Sequence, residues 1–97
     1  MSEIQLVLRR VKRSNESKLE LSNKGISFLP PEIYTLDKLE VIDLSGNKLT
    51  SIDTKICQLT NLKVLDISNN SIMNLPQQLL DLPKLQALNV SNNPLQK

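Results

Sequence analysis

Apolar side chains recur along this chain in one fixed frame, and the frame repeats every 23 residues. The clearest copy begins at Leu62 and reads LKVLDISNNSI, and related copies begin at Leu39 and Leu85. A weaker copy begins at Glu16, so the chain holds three full repeats and half of a fourth. A fixed period of this size indicates a solenoid, in which each unit buries its apolar face by stacking on its neighbours.

Within each copy, apolar and polar positions alternate as they do in a short strand with one buried face. In the second copy Leu39, Ile42 and Leu44 are predicted to point into the core, while Val41 and Asp43 point outward. We therefore predict short parallel strands centred on Leu19, Ile42, Leu65 and Leu88.

The segments after the strands predict a turn and then a short helical element on the opposite side of the solenoid. Asn47, Asn70 and Asn93 follow three of the strands, and we expect their amides to satisfy turn backbone groups in one buried ladder. Pro30 and Pro76 come later in the unit and suit the first position of a short helical turn. This turn would form the convex side of the solenoid.

The N-terminal segment carries a helical pattern and is predicted to close the first repeat. Ser2 and Gln5 have the spacing of a capping box. We assign residues 1–15 to an N-terminal capping helix and residues 16–97 to the repeat domain. The apolar face of this helix consists of Ile4, Val7, Leu8 and Val11. Its cations form a basic cluster near the helix C-terminus, namely Arg9, Arg10, Lys12 and Arg13.

The frame L-x-x-L-x-L-x-x-N-x-L resembles the leucine-rich repeat consensus. The segments 29–36 (LPPEIYTL) and 75–82 (LPQQLLDL) resemble the L-P-x-x-I-x-x-L unit of the intracellular class that includes Ras-binding and Ras-suppressor scaffolds. The resemblance implies an α/β solenoid: a short curved arc with a parallel concave sheet, three full repeats plus a half repeat, and an N-terminal capping helix. It also implies protein binding, with small-GTPase signalling as one setting.

Composition argues against catalysis and cofactor chemistry. The 97 residues include no histidine, one cysteine and two glycines, so the sequence offers no imidazole base, zinc site or glycine-rich phosphate loop. We therefore predict a protein that is not an enzyme, with no cofactor, no metal and no small-molecule substrate. Phe28 and Tyr34 are the only aromatic residues, which argues against an aromatic nucleic-acid platform.

The cellular location is predicted from the cysteine count and the hydropathy pattern. Cys57 is alone and cannot form an internal disulfide, which favours a reducing compartment. We find neither a signal-peptide pattern nor an apolar stretch long enough to span a bilayer. We therefore expect a cytoplasmic protein.

The outward positions of the predicted sheet are the candidate binding site. One set, the valine column, would consist of Lys18, Val41, Val64 and Ala87. Beside it an acidic column would consist of Glu20, Asp43, Asp66 and Asn89. Carboxylates in adjacent strands repel one another, and a partner with a basic contact surface would relieve that repulsion. The alternative is that both columns are ordinary solvated consensus residues.

Two further surfaces each allow more than one interpretation. The basic cluster is either the solvated face of the cap or a contact for an acidic protein, RNA or an anionic membrane surface. At the other end the fourth unit has a strand but no convex half. We expect Leu88, Val90 and Leu95 to be covered by another chain or by a longer array, unless the last strand tolerates exposure.

Two function classes follow from these features. The first is a non-enzymatic adaptor or scaffold that binds a partner protein through the concave face. The alternative is a structural subunit of a larger cytoskeletal, ciliary or ribonucleoprotein assembly, held by its C-terminal edge.

Overall fold

A computed structural model describes residues 2–95 and shows one open sheet of four parallel strands preceded by a helix. The strands pair in chain order, as they do in a short α/β solenoid arc, so the predicted fold class is confirmed. The helix α1 spans Glu3–Ser14. The strands are β1 (Lys18–Glu20), β2 (Val41–Asp43), β3 (Val64–Asp66) and β4 (Ala87–Asn89).

The register of the sheet follows the sequence period. Leu19 pairs with Ile42, Ile42 with Leu65, and Leu65 with Leu88, so each step of the ladder is one repeat of 23 residues. These four residues are the predicted strand centres. In β1, β2 and β3 the central side chain is fully buried, while its two neighbours face outward.

Short 3₁₀ helices form the opposite side of the solenoid, at Pro31–Thr35, Thr54–Gln58 and Gln77–Asp81. Each buries one apolar side chain, and these are Ile33, Ile56 and Leu79. The middle helix lacks the proline of the other two. Its start is held instead by Asp53, whose Oδ1 accepts a hydrogen bond from the backbone N–H of Lys55 at 2.9 Å.

Asparagine side chains tie neighbouring turns together. The Nδ2 of Asn70 donates to the carbonyls of Leu44 and Ile67, both at 3.0 Å, and its Oδ1 accepts from the N–H of Leu49. Asn47 is bonded in the same way and is also buried. The predicted uniform burial is wrong for Asn93, which makes equivalent bonds but is only half-buried because no described repeat covers its outer side.

The residue before each ladder position adopts a left-handed backbone, which the sequence analysis did not anticipate. Asn23, Asn69 and Asn92 have φ between 55° and 59°, and Gly46 has φ 69°. Asparagine and glycine tolerate this region, and their recurrence at this position was the signal available in the sequence. At position 46 a Cβ atom would also collide with the side chain of Asn23.

The N-terminal helix packs on the first repeat as predicted. The hydroxyl of Ser2 accepts from the N–H of Gln5 at 3.2 Å, which caps the start of α1. Asn15 ends the helix with a left-handed φ of 52°. Leu8 and Val11 are buried in the core. Within residues 2–95, no helix is both long and apolar enough to cross a bilayer.

Candidate functional site

The valine column lies in register across the outward face of the sheet. Lys18, Val41, Val64 and Ala87 are successive partners in the parallel ladder. The two valines are half-exposed, while the residues at the two ends of the column are exposed. The fold therefore places Val41, Val64 and Ala87 in one apolar row on the outward face.

The acidic column runs alongside, and its first member is already paired. Glu20, Asp43, Asp66 and Asn89 are successive ladder partners. The Nζ of Lys18 lies 2.9 Å from Oε1 of Glu20. The hydrogen bond that Lys18 donates to Glu20, the charge of Glu20 and the charge of Asp43 together raise the pKa of Lys18 above its usual value. The repulsion expected within this column is thus relieved in part by the chain's own lysine.

The two aspartates of the acidic column also hold the turns that follow their strands. Oδ1 of Asp43 accepts from the N–H and the hydroxyl of Ser45 at 2.9 and 2.6 Å. Oδ1 of Asp66 accepts from the same groups of Ser68 at 3.0 and 2.7 Å. The sequence analysis missed these bonds, although the repeated Asp-x-Ser spacing was the signal for them.

The fourth repeat separates the structural role of these residues from their charge. Asn89 accepts from the N–H and the hydroxyl of Ser91 at 3.1 and 2.7 Å, with the same geometry as the aspartates. An amide oxygen is therefore sufficient for the turn. The negative charges of Asp43 and Asp66 are not required by this hydrogen-bond pattern.

An ion pair adjoins the two columns just before the strands begin. Nζ of Lys63 lies 3.3 Å from Oε1 of Glu40, and both side chains are about two-fifths exposed. These residues are one repeat apart, so the stacking of repeats brings them together. The sequence analysis did not select either residue. The outward face therefore has a half-exposed apolar centre with charged groups on both sides.

The basic cluster lies beside carboxylates of the same chain. Nε of Arg10 lies 3.3 Å from Oε2 of Glu16 at the end of α1. Arg9 and Lys12 line a surface groove of about 190 Å³ that α1 forms with the first 3₁₀ helix, and Glu32 lines the same groove. Neighbouring carboxylates therefore offset part of the positive charge of this cluster.

The apolar residues of the C-terminal edge are less buried than their counterparts. Leu65 and Ile67 are fully buried, whereas Leu88 and Val90, one repeat later, are half-exposed. Leu95 is also half-exposed and packs on the margin of the core. The repeat frame is thus maintained at this edge while its burial is reduced.

The backbone of the same edge is open. The N–H of Ile67 donates to the carbonyl of Asn89 at 2.9 Å, as the ladder requires. The corresponding donor in the fourth repeat is the N–H of Val90, which has no acceptor among residues 2–95. Open edge groups of this kind can pair with a further strand.

Comparison with known proteins identifies the same repeat. Two family models described as leucine-rich repeats match residues 53–95 and 38–59. A solved structure of a leucine-rich repeat protein from Leptospira interrogans superimposes with a TM-score of 0.82 at 35% identity. The similarity covers 92% of this chain and 23% of that one, so the chain spans under a quarter of its length. No curated protein matches this chain.

Proposed function

Because this chain is a leucine-rich repeat protein, we propose that it is a non-enzymatic adaptor or scaffold that binds a partner protein through the outward face of its sheet. The observation that carries the proposal is the half-exposed pair Val41 and Val64, which lies beside the carboxylates of Asp43 and Asp66. An apolar centre with a charged border is the usual anatomy of a protein interface.

The acidic column defines the chemistry of the partner. The turns need only a side-chain oxygen at positions 43 and 66, yet both residues are aspartates. A partner that presents arginine or lysine opposite their carboxylates would gain charge-assisted hydrogen bonds. The resemblance to Ras-binding and Ras-suppressor scaffolds supports a cytoplasmic role, with small-GTPase signalling as one setting. A partner with a basic contact surface is the central element of this proposal.

Removal of charge without disruption of the turns provides the test. The double variant Asp43→Asn, Asp66→Asn keeps an oxygen for each serine, as Asn89 does in the fourth repeat. Proteins that copurify from the source cell with the unmodified chain would be compared with those that copurify with the variant. A protein lost from the variant would then be purified and its affinity measured by calorimetry.

The expected result is binding weakened by about tenfold or more, as for close charge pairs across an interface. The matched control is Glu32→Gln, Asp37→Asn, which removes the same charge from exposed positions away from the strands. This control should leave the affinity unchanged. Equal affinity of the unmodified chain and the Asp43, Asp66 variant for every partner would exclude this face as the site.

A second candidate function is that of a structural subunit held through the edge of β4. The observation that favours it is the half-exposure of Leu88 and Val90 beside an unpaired backbone N–H. A strand supplied by a neighbour in an assembly would cover both the apolar side chains and the edge. Coverage by a further repeat of a longer array would satisfy the same groups.

Analytical ultracentrifugation of the 97-residue chain distinguishes these states. Self-association that is abolished by Leu88→Lys supports an edge that requires a cover. A chain that stays monomeric and folded at high concentration excludes a second copy as the cover. If residues 85–97 also face water in the complexes that copurify with the chain, the subunit candidate is wrong and the adaptor proposal stands.

A further inference from the structure

The fold brings the only two aromatic residues of the chain into one surface cavity. Phe28 and Tyr34 both line a cavity of about 190 Å³, together with Asp53 from the next repeat. We call this the aromatic cavity. It lies where the first repeat runs into its 3₁₀ helix, outside the columns of the sheet.

Phe28 has no role in the core. Its side chain is 78% exposed, the highest value among the large apolar residues in the described part of the chain. One repeat later the same position holds Ser51, so the repeat does not need an aromatic ring there. A large exposed ring forgoes burial energy, and its placement against a cavity is what a binding role would require.

Asp53 gives the aromatic cavity a negative charge. Its Oδ1 caps the second 3₁₀ helix through the N–H of Lys55, while Oδ2 has no hydrogen bond within residues 2–95. Asp53 also forms no ion pair in that part of the chain. Burial, and secondly the charge of Asp53, raise the pKa of the Tyr34 phenol, so the carboxylate acts on the ring beside it.

Two aromatic rings beside a carboxylate suit a cationic group. The face of an aromatic ring attracts a cation, and a carboxylate adds a direct partner for it. Arginine fits this combination best, because its planar guanidinium stacks on rings and bonds carboxylates in a fork. A cavity of about 190 Å³ is below the usual size for drug-like ligands but can hold one side-chain group. The charge of Asp53 disfavours a nucleic-acid phosphate.

An apolar column extends from the aromatic cavity across the convex side. Tyr34, Cys57 and Leu80 occupy the same position in three successive repeats. Leu80 is 74% exposed. Asp81 lies close enough to Cys57 to contribute to its raised pKa. Asp53 and Asp81 therefore act on the first two members of the column, so a basic partner segment would find a carboxylate near each of them.

We propose that the aromatic cavity binds an arginine side chain carried by a partner protein, with the flanking partner residues lying along the apolar column toward Leu80. This surface is separate from the valine and acidic columns. Its occupant is a basic, partly apolar protein segment, argued from the exposed rings and from the uncompensated charge of Asp53.

The aromatic cavity contains its own reporter, because Tyr34 is the only tyrosine and the chain has no tryptophan. Ultraviolet titration of Tyr34 would be recorded with N-acetyl-arginine amide, with its neutral analogue N-acetyl-citrulline amide, and with sodium chloride at equal ionic strength. A bound guanidinium offsets the charge of Asp53, so the arginine compound should lower the pKa of Tyr34 in a saturable manner. The other two additives should not.

Two variants test the residues without disturbing the fold. Asp53→Asn keeps the helix cap, since asparagine caps as well as aspartate, and removes the charge. Phe28→Ser installs the residue that the next repeat already uses. Each variant should weaken the binding of the arginine compound by at least about two- to fivefold, whereas Asp43→Asn should leave its affinity unchanged. Equal responses in the unmodified chain and both variants would overturn the proposal.

A library of random dodecapeptides tests the protein source. Peptides selected on the unmodified chain, with counter-selection on the Asp53→Asn variant, should share an arginine. Leu80→Gln should weaken the binding of those peptides but leave the affinity for the arginine compound unchanged. Selected peptides without arginine, or peptides indifferent to Leu80→Gln, would refute a protein segment lying along this column.

Discussion

At the residue scale, short polar side chains determine how each repeat turns. Asparagine at the ladder position bonds backbone groups of two repeats at once, and each Asp-x-Ser or Asn-x-Ser pair closes the end of a strand. The ladder was predictable because one residue type recurs at one position. The left-handed position before it was not predicted, since Asn23 and Gly46 share a backbone conformation rather than a side chain.

Replacement of Asn70 with alanine should destabilise the chain by about 1–3 kcal/mol, because buried carbonyls and the N–H of Leu49 lose their partner. Asn93→Ala is the matched variant. Its site is half-buried, so water can replace part of the lost bonding and the loss should be smaller. Urea unfolding of the two variants measures the difference. A loss at Asn93 equal to that at Asn70 would contradict this account of the ladder.

Cys57 should react slowly with iodoacetamide. Burial, and secondly the charge of Asp81, raise the pKa of its thiol, so less thiolate is present at pH 8 than for a free cysteine. The variant Asp81→Asn should lower the pKa of the thiol and so shift the pH profile of the alkylation rate to lower pH. Because folding favours the protonated thiol, its contribution to the free energy of unfolding is present below the pKa of the unfolded cysteine. That contribution is lost as the pH rises through the pKa of the folded state. An unchanged profile would show that Asp81 has no influence on the thiol.

At the element scale, the strands and the helix α1 follow directly from apolar periodicity, while the candidate site follows only in part. The columns of the sheet could be predicted because each is a step of 23 residues. The aromatic cavity could not, because Phe28, Tyr34 and Asp53 occupy three unrelated repeat positions. Only the packing of one repeat on the next brings them together.

Truncation of α1 on its buried side should affect the whole solenoid. Leu8→Ala removes a side chain that is 4% exposed, and should cost about 2–5 kcal/mol through lost burial and the resulting cavity. Leu6→Ala changes the same residue type in the same helix where it is 55% exposed. The free energy of unfolding of this variant should lie within about 0.5 kcal/mol of that of the unmodified chain. Thermal and urea unfolding would compare them, and equal losses would contradict the role of α1 as a cap.

At the scale of the whole molecule, the two ends of the solenoid differ within residues 2–95. Helix α1 covers the first repeat, and its Leu8 and Val11 are buried in the same core as the strands. The far side of β4 has no cover among residues 2–95, so Leu88 is half-exposed. Stability should therefore decline toward β4, because each repeat depends on contact with its neighbours.

Equivalent leucines in adjacent repeats measure that decline. Leu65→Ala should cost about 2–5 kcal/mol, because its side chain is fully buried between two strands. Leu88→Ala, one repeat later, should cost less, about 1–2 kcal/mol, because part of its surface is already in water. Hydrogen exchange would test the same gradient without mutation, with faster exchange of amides in β4 than in β2 and β3. Equal losses at the two leucines, with equal protection across the strands, would mean that the edge is covered in solution. Dilution would then separate the causes, since a cover supplied by a second copy is lost at low concentration.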